Sequence, residues 1–241
     1  VSIEDDALDL LCDRVNGDVR SALNILEFAA VTCKDAKIVK EDILEQCKVA
    51  LQRTWGSEDG YYDLLSGFQK SIRGSDVNAA LYYLSLLANA NDLESIVRRL
   101  LVIAYEDIGL ANPNAVLRCQ MAIKAAEEVG FPEAIIPLGD AVVDLCLSPH
   151  SKAGCLSIES AMDFASKTPL EVKDYLKLTP INMKEEDKYP YDRPDLWERI
   201  EYLPDFIRDK KFYEPSYNSA YEKVLNANYE RLLKQGRTSS L

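Results

Sequence analysis

A chain of 241 residues that is 47% hydrophobic and 28% charged can build one large domain or two smaller ones with a real core, which excludes disorder. Ten glycines and ten prolines are too few for collagen-like, linker-like or turn-dense β architectures. A formal net charge of -12 opposes a phosphate backbone, whose nonspecific affinity comes from neutralisation by Lys and Arg, so this chain alone should bind DNA weakly.

The longest uncharged stretch, residues 77–91, is short of the roughly 20 apolar residues of a spanning helix and holds several Asn. No membrane partner is expected. The first nine residues carry Glu4, Asp5, Asp6 and Asp9, with no basic segment or small-residue cleavage site, so a cytoplasmic protein is expected and the start reads as the interior of a longer one. Six scattered cysteines form no close pair; Cys12, Cys119 and Cys146 lie inside apolar helical patterns and are expected as buried, reduced thiols.

Apolar residues recur at spacings of three and four over almost all of residues 1–179, and strict alternation is nearly absent, which predicts an all-α fold without a sheet. Ser2 is the expected N-cap of a first helix with Ile3, Ala7, Leu10, Leu11 and Val15 inward, stopped by Asn16-Gly17. Asp18 caps a second that buries Val19, Ala22, Leu23, Leu26 and Ala30, and a third runs from about Lys40 to Val49 with Ile43, Leu44 and Cys47 inward. A polar break at residues 53–57 separates this module from a pattern through Tyr62, Leu65, Phe68 and Ile72. Ser75 or Asp76 then caps a helix through Ala80, Leu84 and Leu87, and Asn91 with Glu94 reads as a capping box. The helix after it carries Val97, Leu100, Leu101, Ala104 and Ile108 and ends or bends at Gly109. Helices at about 113–128, 132–147 and 150–166 start at Pro113, Pro132 and the Pro149-His150 turn.

From Pro180 the texture changes: five of the ten prolines and seven of the thirteen tyrosines lie in the last 62 residues, which rules out continuous helix there. An extended arm packed on the bundle is expected, closed by a helix from about Ser219 to Leu233.

No Gly-x-x-x-x-Gly-Lys and no Gly-x-Gly-x-x-Gly occurs, so the chain has no phosphate-cradling loop of its own. The lone His150 and the scattered cysteines offer no metal site, and His150 reads as a turn residue. The pairs Asp5-Asp6, Glu127-Glu128 and Glu185-Glu186 read as solvated helix faces. Two strings say more. In Asn16-Gly17-Asp18-Val19-Arg20-Ser21-Ala22-Leu23-Asn24, Arg20 falls in the first turn of a helix, where the macrodipole disfavours positive charge. It needs a negative partner: Asp13, Asp18 or a bound anion. The second string joins Arg73, Arg98, Arg99, Glu106 and Asp107. On a continuous helix Arg99 and Glu106 share a face within about 20°, so the strip is either an internal ion-pair network or an interaction surface. Adjacent Glu106 and Asp107 diverge by about 100° and should not converge on one substrate, which argues against an acid/base pair.

Gly17-Asp18-Val19-Arg20 with Ala22-Leu23-Asn24 resembles the sensor-2 helix in the lid of clamp-loader-like AAA+ ATPases. Arg73-Gly74-Ser75-Asp76, Ala79-Ala80-Leu81-Tyr82, Arg98-Arg99-Leu100 and Glu106-Asp107-Ile108-Gly109-Leu110-Ala111 resemble the C-terminal region of the replication-associated recombination protein A family, related to the Werner-helicase-interacting ATPases. The likeness extends through Lys188-Tyr189-Pro190, Tyr202-Leu203-Pro204-Asp205 and Phe212-Tyr213-Glu214-Pro215. It implies a lid at residues 1–52, a helical oligomerisation domain at 53–179 and the arm at 180–241. It also implies an absent N-terminal core that binds ATP and Mg, with no cofactor held by the present chain. Arg20 would then reach the γ-phosphate of that ATP. Implied partners are further copies of the chain, in a tetramer, and DNA and single-stranded-DNA-binding protein at stalled forks, in a whole protein that maintains replication forks and serves recombination and repair. Tyr61, Val77, Tyr105 and Tyr191 depart from the family's usual His, Pro, Ser and His, so no histidine chemistry is expected at those positions. A rival from another class is a helical scaffold that binds a partner through the Tyr/Pro arm.

Overall fold

The computed structural model describes residues 1–15, 19–33, 36–55, 58–181 and 183–239, and for residues 20, 21, 48–55, 58 and 59 the backbone alone. The chain divides into two compact units, one formed by Val1–Ile108 with Pro113–Ser148, the other by Gly109–Asn112 with Pro149–Leu241.

The first unit opens with three helices, α1 (Asp5–Val15), α2 (Val19–Thr32) and α3 (Lys40–Trp55). Asp5 and Asp6 in the first turn of α1 and Arg14 in its last complement the helix dipole. Ala7, Leu11, Val15, Ile25, Ala29, Ile38 and Ile43 form a small core of their own. Ser2 is not a cap. It belongs to β1 (Ser2–Ile3), paired in parallel with β2 (Lys37–Ile38), so the expectation of a chain without any sheet is corrected by one two-residue ladder. The segment between α2 and α3 leaves the helix, and its backbone groups must find partners; the Ser2 and Glu4 N–H groups donate to the Ala36 and Ile38 carbonyls at 3.0 and 3.1 Å.

The inward face of α2 is rotated by about one residue from expectation. Ile25 and Ala29 are buried, whereas Val19 and Leu23 are 68% and 61% exposed. Asp18, the expected cap, lies outside the described residues. Cys12 is exposed, in contrast to the buried thiol expected, because the stripe of α1 runs through positions 7, 11 and 15 and leaves position 12 on the outer face. α3 continues to Trp55 instead of stopping near Val49: Ala50, Leu51, Gln52 and Arg53 are strong helix formers, and their intrinsic propensity carries the helix on. Residues 56 and 57, the rest of the expected polar break, lie outside the described residues.

The bundle comprises α4 (Glu58–Arg73), α5 (Val77–Asn89), α6 (Leu93–Ile103), α7 (Pro113–Val129) and α8 (Ile135–Leu147). Its core is continuous, with Phe68, Ile72, Leu84, Leu87, Ile96, Leu100, Ile103, Ile108, Leu138 and Leu145 all less than 2% exposed. Tyr62 points outward and Tyr61 packs on this core in its place. Asp76 caps α5 by accepting from the Ala79 N–H at 3.0 Å. The expected capping box at Asn91 and Glu94 is corrected: Asn91 takes a left-handed conformation, φ +55°, which closes the α5–α6 turn, and Asp92 becomes the cap that accepts from the Ser95 N–H at 3.1 Å. After α6 the chain widens into a π-helical turn, Ala104–Ile108, then tightens into a 3-10 turn, Gly109–Ala111, entered through Gly109 at φ +43°.

Burial pushes the Cys119 thiol up to about 12 and the Cys146 thiol up to about 11, with Asp144 and Asp76 adding to the effect. At pH 8, Cys12 is expected to react with maleimide in the folded protein and these two only in denaturant. Peptide mapping by mass spectrometry checks this, and prompt native labelling of Cys119 would contradict it.

In the second unit α9 (Ala153–Ala165) is followed by isolated single turns, the four-residue α10 (Pro194–Trp197) and α11 (Ala220–Gln235). The closing helix, and the absence of continuous helix among the described residues between α9 and α11, match the reading of the prolines. Aromatic and polar groups replace an aliphatic core: Tyr189 stacks on Trp197 at 6.3 Å, the Trp197 indole N–H donates to the Pro190 carbonyl at 2.9 Å, and Phe164 meets Phe212 at 5.7 Å. The Tyr213 hydroxyl donates to Oδ1 of fully buried Asn226 at 2.6 Å. Among the described residues, no helix is long and apolar enough to cross a membrane.

Candidate functional site

Arg20 is the second residue of α2; its side chain, and residues 16–18 before it, lie outside the described residues. The first turn of α2 contains no acidic residue. On α2, Val19, Leu23 and Val31 are 68%, 61% and 79% exposed, with the exposed Glu27 between the last two.

A second constellation forms where α4 ends against the π turn. The Arg73 guanidinium donates from Nε and Nη2 to the two carboxylate oxygens of Asp107 at 2.8 and 3.0 Å, and from Nη2 to Glu106 at 3.1 Å. The Asp107 side chain is 1% exposed and that of Arg73 39%, so the fork joins a buried anion to a half-exposed cation. Hydrogen bonding to Asp107 holds the Arg73 guanidinium above its ordinary value against the opposing effect of burial. The two carboxylates expected to diverge therefore reach one group. A π turn holds about 4.4 residues, or about 80° per residue, which brings neighbouring positions closer together than in an α-helix.

The same widening breaks the register on which Arg99 and Glu106 would share a face. The Arg99 guanidinium donates to Gln69 Oε1 of α4 at 3.2 Å, and Arg98 is exposed. Arg73, Glu106 and Asp107 are thus brought together, and Arg98 and Arg99 stand apart from them. Around an arginine, paired carboxylates make a charge clamp and hold no proton-transfer geometry of their own.

Six residues meet at the α5–α6 turn: Tyr61, Asn91 and Glu94, which the sequence reading named in other roles, and Arg14, Asp92 and Ser95, which it did not single out. The Tyr61 hydroxyl donates to Asp92 and lies 2.7 Å from Ser95 Oγ. Asn91 Nδ2 donates to the Arg14 carbonyl at 3.0 Å, and Arg14 Nη2 donates to Glu94 at 2.8 Å. Burial and the hydrogen bond to Asp92 push the Tyr61 hydroxyl up to about 12. The folded state therefore keeps a proton that the unfolded chain loses near 10, so Tyr61 contributes stability below pH 10 that is lost as pH rises toward 12. A phenolate absorbance titration of wild type minus Tyr61→Phe is expected to inflect near 12, and an inflection at 10 would contradict the burial.

Asp5, Asp6, Glu127, Glu128, Glu185 and Glu186 are all exposed. The His150 carbonyl accepts from Asn218 Nδ2 at 2.7 Å in the turn before α9, and its Nε2 is buried without a hydrogen-bond partner. Among the described residues, no group of three or more His, Cys, Asp or Glu is placed to hold a metal ion.

Residues 74–233 match the family described as MgsA AAA+ ATPase C terminal, and residues 1–73 the AAA C-terminal domain. The chain is 45% identical to the replication-associated recombination protein A of Bacillus subtilis, over 98% of this chain and 59% of that protein. It is 32% identical to the protein of the same name from Haemophilus influenzae, over 98% of this chain and 56% of the relative. It is 28% identical to the ATPase WRNIP1 of Dictyostelium discoideum, over 88% and 28% respectively. The chain spans little more than half the length of the bacterial relatives it matches.

Proposed function

Because this chain belongs to the replication-associated recombination protein A family, with the MgsA AAA+ ATPase C-terminal domain, we propose that it is the lid and oligomerisation region of a longer DNA-maintenance ATPase and hydrolyses nothing alone. The observation that carries this reading is the match itself: 160 consecutive residues, 74–233, fit a domain defined as the C-terminal part of an AAA+ ATPase. In this reading residues 1–52 form the lid, 53–179 the oligomerisation domain and 180–241 the arm. ATP and Mg bind a nucleotide-holding core outside the present sequence, and DNA and single-stranded-DNA-binding protein are engaged by the whole protein in replication-fork repair.

Two features support the lid assignment. The neighbouring exposed apolar side chains Val19 and Leu23, one turn apart at the start of α2, are suited to cover by another domain. Arg20 is the second residue of α2, where the helix dipole disfavours a positive charge and an incoming anion would offset it. Self-association is supported by α9, whose Leu156, Ile158 and Met162 are 58%, 58% and 66% exposed.

Analytical ultracentrifugation of the chain at tens of micromolar is expected to give a species larger than a monomer, with a tetramer as the favoured state, and Met162→Glu is expected to dissociate it. A wild-type monomer at that concentration would overturn the oligomerisation role. The longer polypeptide is expected to hydrolyse ATP and this chain not to.

A further inference from the structure

We propose that the aromatic cluster of the second unit is a docking surface for an extended, arginine-bearing segment of a partner protein. It stands on residues of that unit alone and holds whether or not the first helices also act as a lid. Tyr189 is the hub: the rings of Tyr191, Trp197 and Tyr202 are centred 5.0, 6.3 and 6.3 Å from its own. Local hydrogen bonds fix them there. The Pro190 carbonyl accepts from the Trp197 indole N–H at 2.9 Å and from the Arg193 backbone N–H at 3.1 Å. The Tyr202 hydroxyl lies 3.0 Å from that of Tyr189 and donates to the Trp197 carbonyl at 3.2 Å. A cluster that served only to pack would be covered, yet Tyr191, Trp197 and Tyr202 are 76%, 39% and 38% exposed. The rings are thus held in place before anything binds, which lowers the ordering cost of a contact.

The charge around the rings selects the ligand. Residues 184–202 hold seven acids and four bases. Lys184, Lys188 and Arg193 are each joined to an acid of the same segment, Glu186, Glu185 and Asp195. The exposed Asp187 and Asp192, which flank the Tyr189–Tyr191 pair in sequence, form no ion pair among the described residues. The face of an aromatic ring is negative and attracts a cation laid over it, and a planar guanidinium can stack there while its N–H groups reach a carbonyl or carboxylate. The unit already makes this contact with itself. The Arg237 guanidinium lies 5.4 Å from the centre of the Tyr202 ring, and its Nη1 donates to the Ile200 carbonyl at 2.8 Å. An arginine from another polypeptide, laid on Tyr191, repeats that arrangement within a segment of net negative charge. A single strand of nucleic acid also stacks on such rings, but its phosphates would meet the same acids on a chain of net charge -12.

The test is fluorescence anisotropy of a fluorescein-labelled peptide of alternating Arg and Gly, titrated with the full chain at low salt. Wild type is expected to bind it. Tyr191→Ala, which leaves the net charge unchanged and removes a ring that is mostly in water, is expected to keep the wild-type urea midpoint and to bind about three- to fivefold more weakly. Tyr191→Phe retains the ring face and is expected to bind as wild type does. The matching Lys-Gly peptide is expected to bind wild type more weakly than the Arg-Gly peptide. Failure of wild type to bind the Arg-Gly peptide would overturn the proposal. Equal affinities of wild type and Tyr191→Ala would overturn it too, since net charge alone would then attract the peptide. An oligo-dT strand of the same length that binds more tightly than the peptide, and loses affinity in Tyr191→Ala, would assign the rings to nucleic acid and overturn it equally.

Discussion

Replacing Arg73 with alanine is expected to lower the stability of the chain by about 2–3 kcal/mol, read as a shift of the urea midpoint. The Asp107 carboxylate is 1% exposed and receives two hydrogen bonds from this one guanidinium, so the variant leaves a desolvated anion short of its bidentate partner. Breaking a fully buried pair typically costs about 3–5 kcal/mol, and the 39% exposure of Arg73 admits water to the fork and reduces the figure. The comparison that gives the number meaning is Arg118→Ala. Arg118 forms an equally short fork with Asp144, at 2.7 and 2.9 Å, yet the two side chains are 57% and 31% exposed, and its loss is expected to cost no more than about 1 kcal/mol. Arg73→Lys should fall between the two, since an ammonium keeps the charge and cannot span both carboxylate oxygens. Equal midpoints for Arg73→Ala and Arg118→Ala would mean that burial of Asp107 does not govern the site.

The helical class and the main helix positions could be read from apolar spacing because each helix buries one stripe, and spacings of three and four are a property of the chain itself. Phe68, Ile72, Leu84, Leu87 and Leu100 were readable in this way and all lie in the core. Errors arose where local spacing was satisfied by more than one rotation or by more than one structure. On α2, Ala22-Leu26-Ala30 and Val19-Leu23 both repeat at a spacing of four, and only packing against α1 and α3 decides which is inside. Ser2 has the chemistry of a cap and also the backbone of a strand, and its partner Lys37 is too remote for local reasoning to find.

At the charged cluster the residue identities were legible and the geometry was not. Arg73, Glu106 and Asp107 stand out as a motif, but a π turn has no composition of its own; it is a misfit of register that the Arg73 clamp accompanies. The Asn91 contact with Arg14 left no local signal beyond Asn91 and Glu94 at capping-box spacing. The contact depends on a carbonyl in another helix, and a backbone acceptor carries no sequence mark at all.

Replacing Arg20 with alanine in the longer polypeptide is expected to lower the rate of ATP hydrolysis on the order of a hundredfold to a thousandfold. The physical reason begins in the helix. An arginine in the first turn of α2 meets the positive end of the macrodipole and gains from a negative partner, and in the proposed lid role that partner is the bound triphosphate. As phosphoryl transfer proceeds, charge builds on oxygens that a planar fork can contact at two points, and the benefit appears in kcat more than in KM. Arg20→Lys retains the charge without the fork and is expected to recover only part of the rate. Single-turnover hydrolysis separates this from weakened binding. A scaffold whose sole business is to hold a partner through its Tyr/Pro arm predicts the opposite pattern: hydrolysis within twofold of wild type in Arg20→Ala, and loss of partner binding when Tyr191, 76% exposed, is removed. The two variants together therefore distinguish an arginine that answers to a nucleotide from one that serves only its own helix.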